Sequence, residues 1–124
     1  MNQMTNCDIL ILEDEAIIAM DIEMTLEEAG HGKIAVCSTV EEAIAQIEKS
    51  APKLALLDYN LGHGTNSVPV AKRLSERSVP FIILSGYTES TVQIPDGLSI
   101  AGRLAKPFQT AELVAKVESA LNGS

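Results

Sequence analysis

Five short apolar runs alternate with stretches of helical periodicity, and that alternation limits the possible folds more than any other feature of the chain. The runs are Asp8-Ile9-Leu10-Ile11-Leu12, Ile34-Ala35-Val36-Cys37, Leu54-Ala55-Leu56-Leu57, Phe81-Ile82-Ile83-Leu84 and about Ile100 to Ala105. Each is short for a helix and is bounded by turn or cap residues, so each reads as a strand buried on both faces. The first intervening stretch, Ala16 to Ala29, carries Ile17, Met20 and Met24 near helical spacing and is closed by Gly30. The second opens with a capping box, Thr39-Val40-Glu41-Glu42, and turns Ala43, Ile44 and Ile47 inward. The third, Val68 to Arg77, has Pro69 in its first turn and apolar Val70, Ala71 and Leu74. The last is capped by Thr110 and bears Leu113, Val114, Val117 and Leu121. Between the fourth and fifth strands, Pro95, Asp96 and Gly97 interrupt the pattern, so the fourth of the five expected helices is short or mobile, about Glu89 to Gln93. Strand and helix alternating in this way give an α/β class chain: a doubly wound five-stranded parallel sheet with helices on both faces.

Open sheets of this kind bind ligands at the carboxyl ends of their strands. The residues gathered there are Glu13 and Asp14 after the first strand, Asp58 after the third, Ser85 after the fourth and Lys106 after the fifth. In the strand order 2-1-3-4-5 the first and third strands are neighbours, which brings Glu13, Asp14 and Asp58 together. Adjacent carboxylates raise one another's pKa and call for protons or a cation in compensation. A hard divalent ion that keeps several waters, Mg²⁺ or Mn²⁺, suits a shallow oxygen-donor site. Metal, ammonium and hydroxyl together can steady a phosphoryl group, and an ionised carboxylate among them is a nucleophile able to form an aspartyl phosphate. The reaction implied is phosphoryl transfer onto Asp58 followed by hydrolysis of the acyl phosphate.

Composition agrees with a single domain of 124 residues, expected to span 1–124 with tails of about 1–6 and 122–124. The net charge of −8 argues against a nucleic-acid or anionic-membrane surface. No stretch reaches transmembrane length, and Met1-Asn2-Gln3-Met4-Thr5 lacks the basic region of a signal peptide, which places the chain in the cytoplasm. Cys7 and Cys37 fit no zinc or redox spacing and read as buried apolar thiols at opposite strand ends. His63, between Gly62 and Gly64, reads as an exposed loop residue, and His31 has no partner in the sequence pattern.

Glu13-Asp14, Asp58, Ser85 and Lys106-Pro107-Phe108, in this order and each at a strand end, resemble the receiver domain of two-component response regulators over essentially the whole chain. The resemblance implies that Asp58 is the phosphoacceptor, that Asp14 binds Mg²⁺ directly and Glu13 through water, and that the backbone carbonyl of Asn60 is a further ligand. It also implies that Ser85 and Lys106 contact the phosphoryl group, that Pro107 is preceded by a cis peptide bond, and that Asn60 and Tyr87 tune phosphoryl lifetime. The implied partners are a histidine kinase or histidine phosphotransfer protein and a downstream protein. Two departures stand out. Arg103 occupies a position where many receivers carry a switching aromatic residue. Ser85-Gly86-Tyr87 resembles a subset whose fourth strand ends in hydroxyl residue, Gly and aromatic. The expectation is therefore that the signal leaves through Ser85 to Leu98, with Tyr87 as the aromatic lever. A non-phosphorylated binding module of the same fold is the alternative, although such modules are expected to lose part of the site. Flavodoxins fit poorly, because Glu13-Asp14-Glu15 would repel a phosphate. Dehalogenase-type phosphatases fit poorly because their nucleophilic Asp follows the first strand. The chain shows no output element, so it either acts alone or is one domain of a longer regulator or hybrid kinase.

Overall fold

The structure is a computed structural model that describes residues 7–62, 64–86 and 94–122. Its elements run β1 (Ile9–Leu12), α1 (Ala16–Glu28), β2 (Ile34–Cys37), α2 (Val40–Lys49), β3 (Leu54–Asp58), α3 (Val68–Glu76), β4 (Phe81–Gly86), β5 (Ile100–Lys106) and α4 (Thr110–Asn122). The five strands form one sheet in the order β2-β1-β3-β4-β5, and every pairing is parallel. The strand pattern and order are those expected from the sequence. Among the described residues no helix lies between β4 and β5, and the expected short helix at Glu89 to Gln93 falls outside them. No helix is long and apolar enough to cross a membrane among the described residues.

Two apolar layers hold the sheet. One face, with Leu10, Leu12, Ala55, Leu57, Phe81 and Ile83, packs on Ala43 and Ile47 of α2 and Val70, Ala71 and Leu74 of α3. The other, with Ile9, Ile11, Leu54, Leu56, Ile82 and Leu84, packs on Ile22 and Leu26 of α1 and Leu113 and Val117 of α4. Every residue of β1 and β3 is buried. A central strand covered on both faces must be apolar at successive positions, and each such side chain contributes about 1.5–3 kcal/mol.

The helices differ from expectation in ways that local chemistry explains. α1 carries apolar side chains all round, and its inward stripe is Ala19, Ile22 and Leu26. Ile17, Met20 and Met24, at helical spacing in the sequence, form the opposite face and are 82%, 58% and 54% exposed. Helical spacing alone does not mark the core on this helix, because two apolar stripes compete and the sheet takes only one. Gly30, at φ +102, ends α1 as expected: its N–H donates to the Glu27 carbonyl and the N–H of His31 to that of Leu26. His31 does have a partner, since its Nε2 lies 2.8 Å from Glu118 Oε2 on α4. At α2, Thr39 Oγ1 accepts from the Glu42 N–H, but the Glu42 carboxylate turns to the N–H and hydroxyl of Ser38. The box thus closes one residue early, and these bonds hold the Glu42 carboxyl below its ordinary range. At α4, Thr110 is already helical, and Glu112 Oε1 accepts from the N–H of Gln109, so the cap sits one residue before Thr110.

Cys7 and Cys37 are free, buried and in the same apolar layer. Burial pushes the Cys37 thiol up to about 11, with Glu42 and Cys7 adding to the effect. A thiol so placed is inert at neutral pH.

Candidate functional site

Parallel register delivers the candidate residues to one edge of the sheet. Leu12 pairs with Leu57, so Glu13 and Asp58 leave their strands side by side. Asp58 in turn pairs with Leu84, Ser85 with Ala105 and Gly86 with Lys106. Ser85 therefore follows the cross-strand partner of Asp58, and Lys106 ends β5 at the same edge. A cis peptide bond joins Lys106 to Pro107.

Oxygen atoms of Glu13, Asp14 and Asp58 lie within 4.8 Å of one another. Glu13 is 1% exposed and Asp58 5%, whereas Asp14 is exposed at the rim. Lys106 Nζ reaches Glu13 Oε1 at 3.0 Å and Asp58 Oδ1 at 3.2 Å. The other Glu13 oxygen, Oε2, accepts from the Glu15 N–H at 3.1 Å. Both oxygens of Glu13 are thus engaged, which accounts for a carboxylate this deeply buried. Neither Glu13 nor Asp14 caps α1 in the usual way. Glu15 is the cap residue and makes no side-chain cap bond.

One ammonium faces three carboxylates, and the imbalance falls on Asp58. Burial, followed by the charge of Glu13, lifts its carboxyl from 3.8 to about 7, against the opposing pull of Lys106. Burial lowers the Lys106 ammonium, but the bond it donates to Glu13 and the charges of Asp58 and Glu13 outweigh it and leave the group raised. The donor set is all oxygen, anionic and open on the Asp14 side, which fits a hard cation. Both Glu13 oxygens are already hydrogen-bonded, whereas Asp14 is exposed.

Residues 9–118 match the family model described as the response regulator receiver domain. The chain belongs to the response regulator receiver family. It is 36% identical over 118 residues to the phyllosphere-induced regulator PhyR of Methylorubrum extorquens, a match covering 92% of this chain and 43% of that protein. In structure it resembles the receiver domain of NtrX from Brucella abortus, with a TM-score of 0.83 and 25% identity over 94% of this chain and all of that one. SdrG from Sphingomonas melonis Fr1 superposes with a TM-score of 0.76 and 35% identity, covering 97% of this chain and 99% of that chain. The chain spans about half the length of the curated relatives it matches. It is a two-component receiver by family, and receivers of this family generally bind Mg²⁺ at an acidic pocket and work with histidine kinases or phosphotransfer proteins.

Not every residue singled out in the receiver's sequence joins the cluster. Arg103 pairs with Ile83 across β4 and β5 and is exposed, on the strand but outside the acidic group. The side chain of Asn60 accepts from the Gly62 N–H at 3.0 Å and shapes the loop. Tyr87, His63 and residues 88–93 lie outside the described residues. Beyond them, Ile94 and Leu98 pack against the same apolar layer as Tyr59. Sequence reasoning missed the direct Glu13–Lys106 pairing, because a strand-end carboxylate and a strand-end lysine carry no sign of which will be buried. It also missed the approach of Gly62 to Asp14. The one signal for it was a Gly two residues beyond an Asn that can form an Asx turn.

Proposed function

We propose that Asp58 is the phosphoacceptor of this receiver and takes its phosphoryl group from a phosphohistidine on a histidine kinase or phosphotransfer protein. An Asp58 carboxylate oxygen forms the new O–P bond as the donor's N–P bond breaks, and the leaving imidazole takes up a proton. Attack requires the ionised carboxylate, and the Lys106 ammonium 3.2 Å away favours that form. As charge gathers on the phosphoryl oxygens, Lys106 pairs with them and the Ser85 hydroxyl donates to one. Hydrolysis is attack by water on phosphorus, which restores the Asp58 carboxylate and releases inorganic phosphate. Glu13, Asp14, Asp58 and the Asn60 backbone carbonyl would hold Mg²⁺ or Mn²⁺, with Asp14 direct and Glu13 through water. Such a cation, when bound, offsets charge on the transferring group.

The observation that carries this reading is a buried carboxylate set between two others and one ammonium at the carboxyl edge of a parallel sheet. The output is a changed affinity for a downstream protein, passed on through Ser85 to Leu98. The contacts of Ile94 and Leu98 with the layer that holds Tyr59 support this route. The charge of −8 favours protein partners over nucleic acid or anionic membrane, within a cytoplasmic receiver unit spanning 1–124. Treatment with a small phosphodonor and Mg²⁺ should add one phosphoryl group by intact mass in the wild type and none in Asp58→Asn. No gain in the wild type would favour the non-phosphorylated binding module.

A further inference from the structure

Gly62 lies in the tight loop that leaves β3 and has φ +82. A Cβ built on it would stand 3.7 Å from Asp14 Oδ2. Gly64, two residues on at φ +75, would have nothing within 4 Å of its Cβ among the described residues. One loop therefore holds two left-handed glycines, one against the acidic cluster and one with no neighbour among the described residues.

The loop is poorly able to retreat from Asp14. The Gly62 N–H donates to Asn60 Oδ1 at 3.0 Å, and its carbonyl accepts from the Thr65 N–H at 2.9 Å. The Leu61 N–H donates to the Thr65 carbonyl at 2.9 Å, and the Leu61 side chain is buried in the core. The Ser67 N–H donates to the Tyr59 carbonyl at 3.0 Å, closing the far end of the loop. A methyl group at position 62 would be in ordinary van der Waals contact with Asp14 Oδ2, so its effect falls on the water around that oxygen. Water on a carboxylate oxygen sits about 2.8 Å away. A methyl group 3.7 Å from Oδ2 excludes a water from that side of the carboxylate and offers no hydrogen bond in return.

We infer that Gly62 is a positioning residue for the cation site: its missing side chain keeps the flank of Asp14 open to a hydrated divalent ion. The inference rests on the reading of the acidic cluster as a cation site. Mg²⁺ retains several of its waters when bound, so it needs room beside its protein ligand as well as the ligand itself. The loop supplies that room by a glycine whose place is fixed through the Asn60 side chain.

Gly62→Ala and Gly64→Ala form a matched pair, since both put a methyl group on left-handed backbone and only one faces Asp14. Mg²⁺ affinity is read from amide chemical shifts during titration with MgCl₂, and melting temperature is read in chelator. Both variants should lose melting temperature to a similar degree. Gly62→Ala should lose about tenfold in Mg²⁺ affinity, the scale of changes next to a metal ligand, while Gly64→Ala stays near wild type. Wild-type affinity in Gly62→Ala, or an equal loss in Gly64→Ala, overturns the role of Gly62. Absence of Mg²⁺ binding by the wild type overturns the cation site itself, and the inference with it. If Gly62→Ala does not fold, Gly62→Asn and Gly64→Asn take the same comparison, because Asn tolerates left-handed backbone.

Discussion

Without a divalent cation, Asp58 should destabilise its own fold, and Asp58→Asn should be the more stable protein at pH 8. The carboxyl titrates at about 7 in the folded chain against an ordinary 3.8, through burial and the Glu13 charge. Each unit of that difference corresponds to about 1.4 kcal/mol, so the ionised group costs at most about 4 kcal/mol. Water entering at the exposed Asp14 rim and relaxation of the carboxylates reduce this to about 2 kcal/mol. Asn is nearly the same shape as a protonated Asp and escapes the cost. For a domain of this size the gain corresponds to roughly 8 °C in melting temperature. The sign with pH follows from linkage. The folded state binds more protons than the unfolded one between about pH 4 and pH 7, so the wild type gains on the variant as pH falls through that window. The assay is thermal unfolding of both proteins in chelator from pH 4 to pH 8, taking the difference so that other titrating groups cancel. A wild type as stable as the variant at pH 8, or a gap that does not shrink on acidification, would refute the reasoning.

Other outcomes follow from the same structure. Lys106→Met removes the ammonium shared by Glu13 and Asp58 and should cost about 2–4 kcal/mol in denaturant unfolding, since it strands a buried charge. Leu56→Ala, at a fully buried position of β3, should cost about 2–5 kcal/mol in the same measurement. Ile17→Ser with Met20→Ser should change stability by about 0.5 kcal/mol or less each, because both side chains are exposed. A loss of several kcal/mol there would mean that this face of α1 is packed in solution.

The sheet was legible because each central strand must be apolar at every position, and Leu54 to Leu57 or Phe81 to Leu84 admit few other readings. The carboxylates were legible for a related reason: once the strands are parallel, the residue after each apolar run must emerge at one edge. Helix faces were less so. In α1, Ile17, Met20 and Met24 have the same periodicity as Ala19, Ile22 and Leu26, and only packing against the sheet selects between them. Long-range pairings were invisible, since nothing local links His31 to Glu118 or Glu13 to Lys106. Cap positions shifted by one residue, because the Glu42 carboxylate takes the Ser38 N–H and the Glu112 carboxylate the Gln109 N–H, a choice set by how the chain enters each helix.

Phosphoryl chemistry should occur at one carboxylate, Asp58. The direct test is to treat the protein with a small phosphodonor and Mg²⁺, reduce the acyl phosphate with borohydride and map the peptides. Conversion of Asp58 alone to homoserine, dependent on both phosphodonor and Mg²⁺, is the predicted result. Reduction at Glu13 or Asp14, or at no carboxylate, would contradict it.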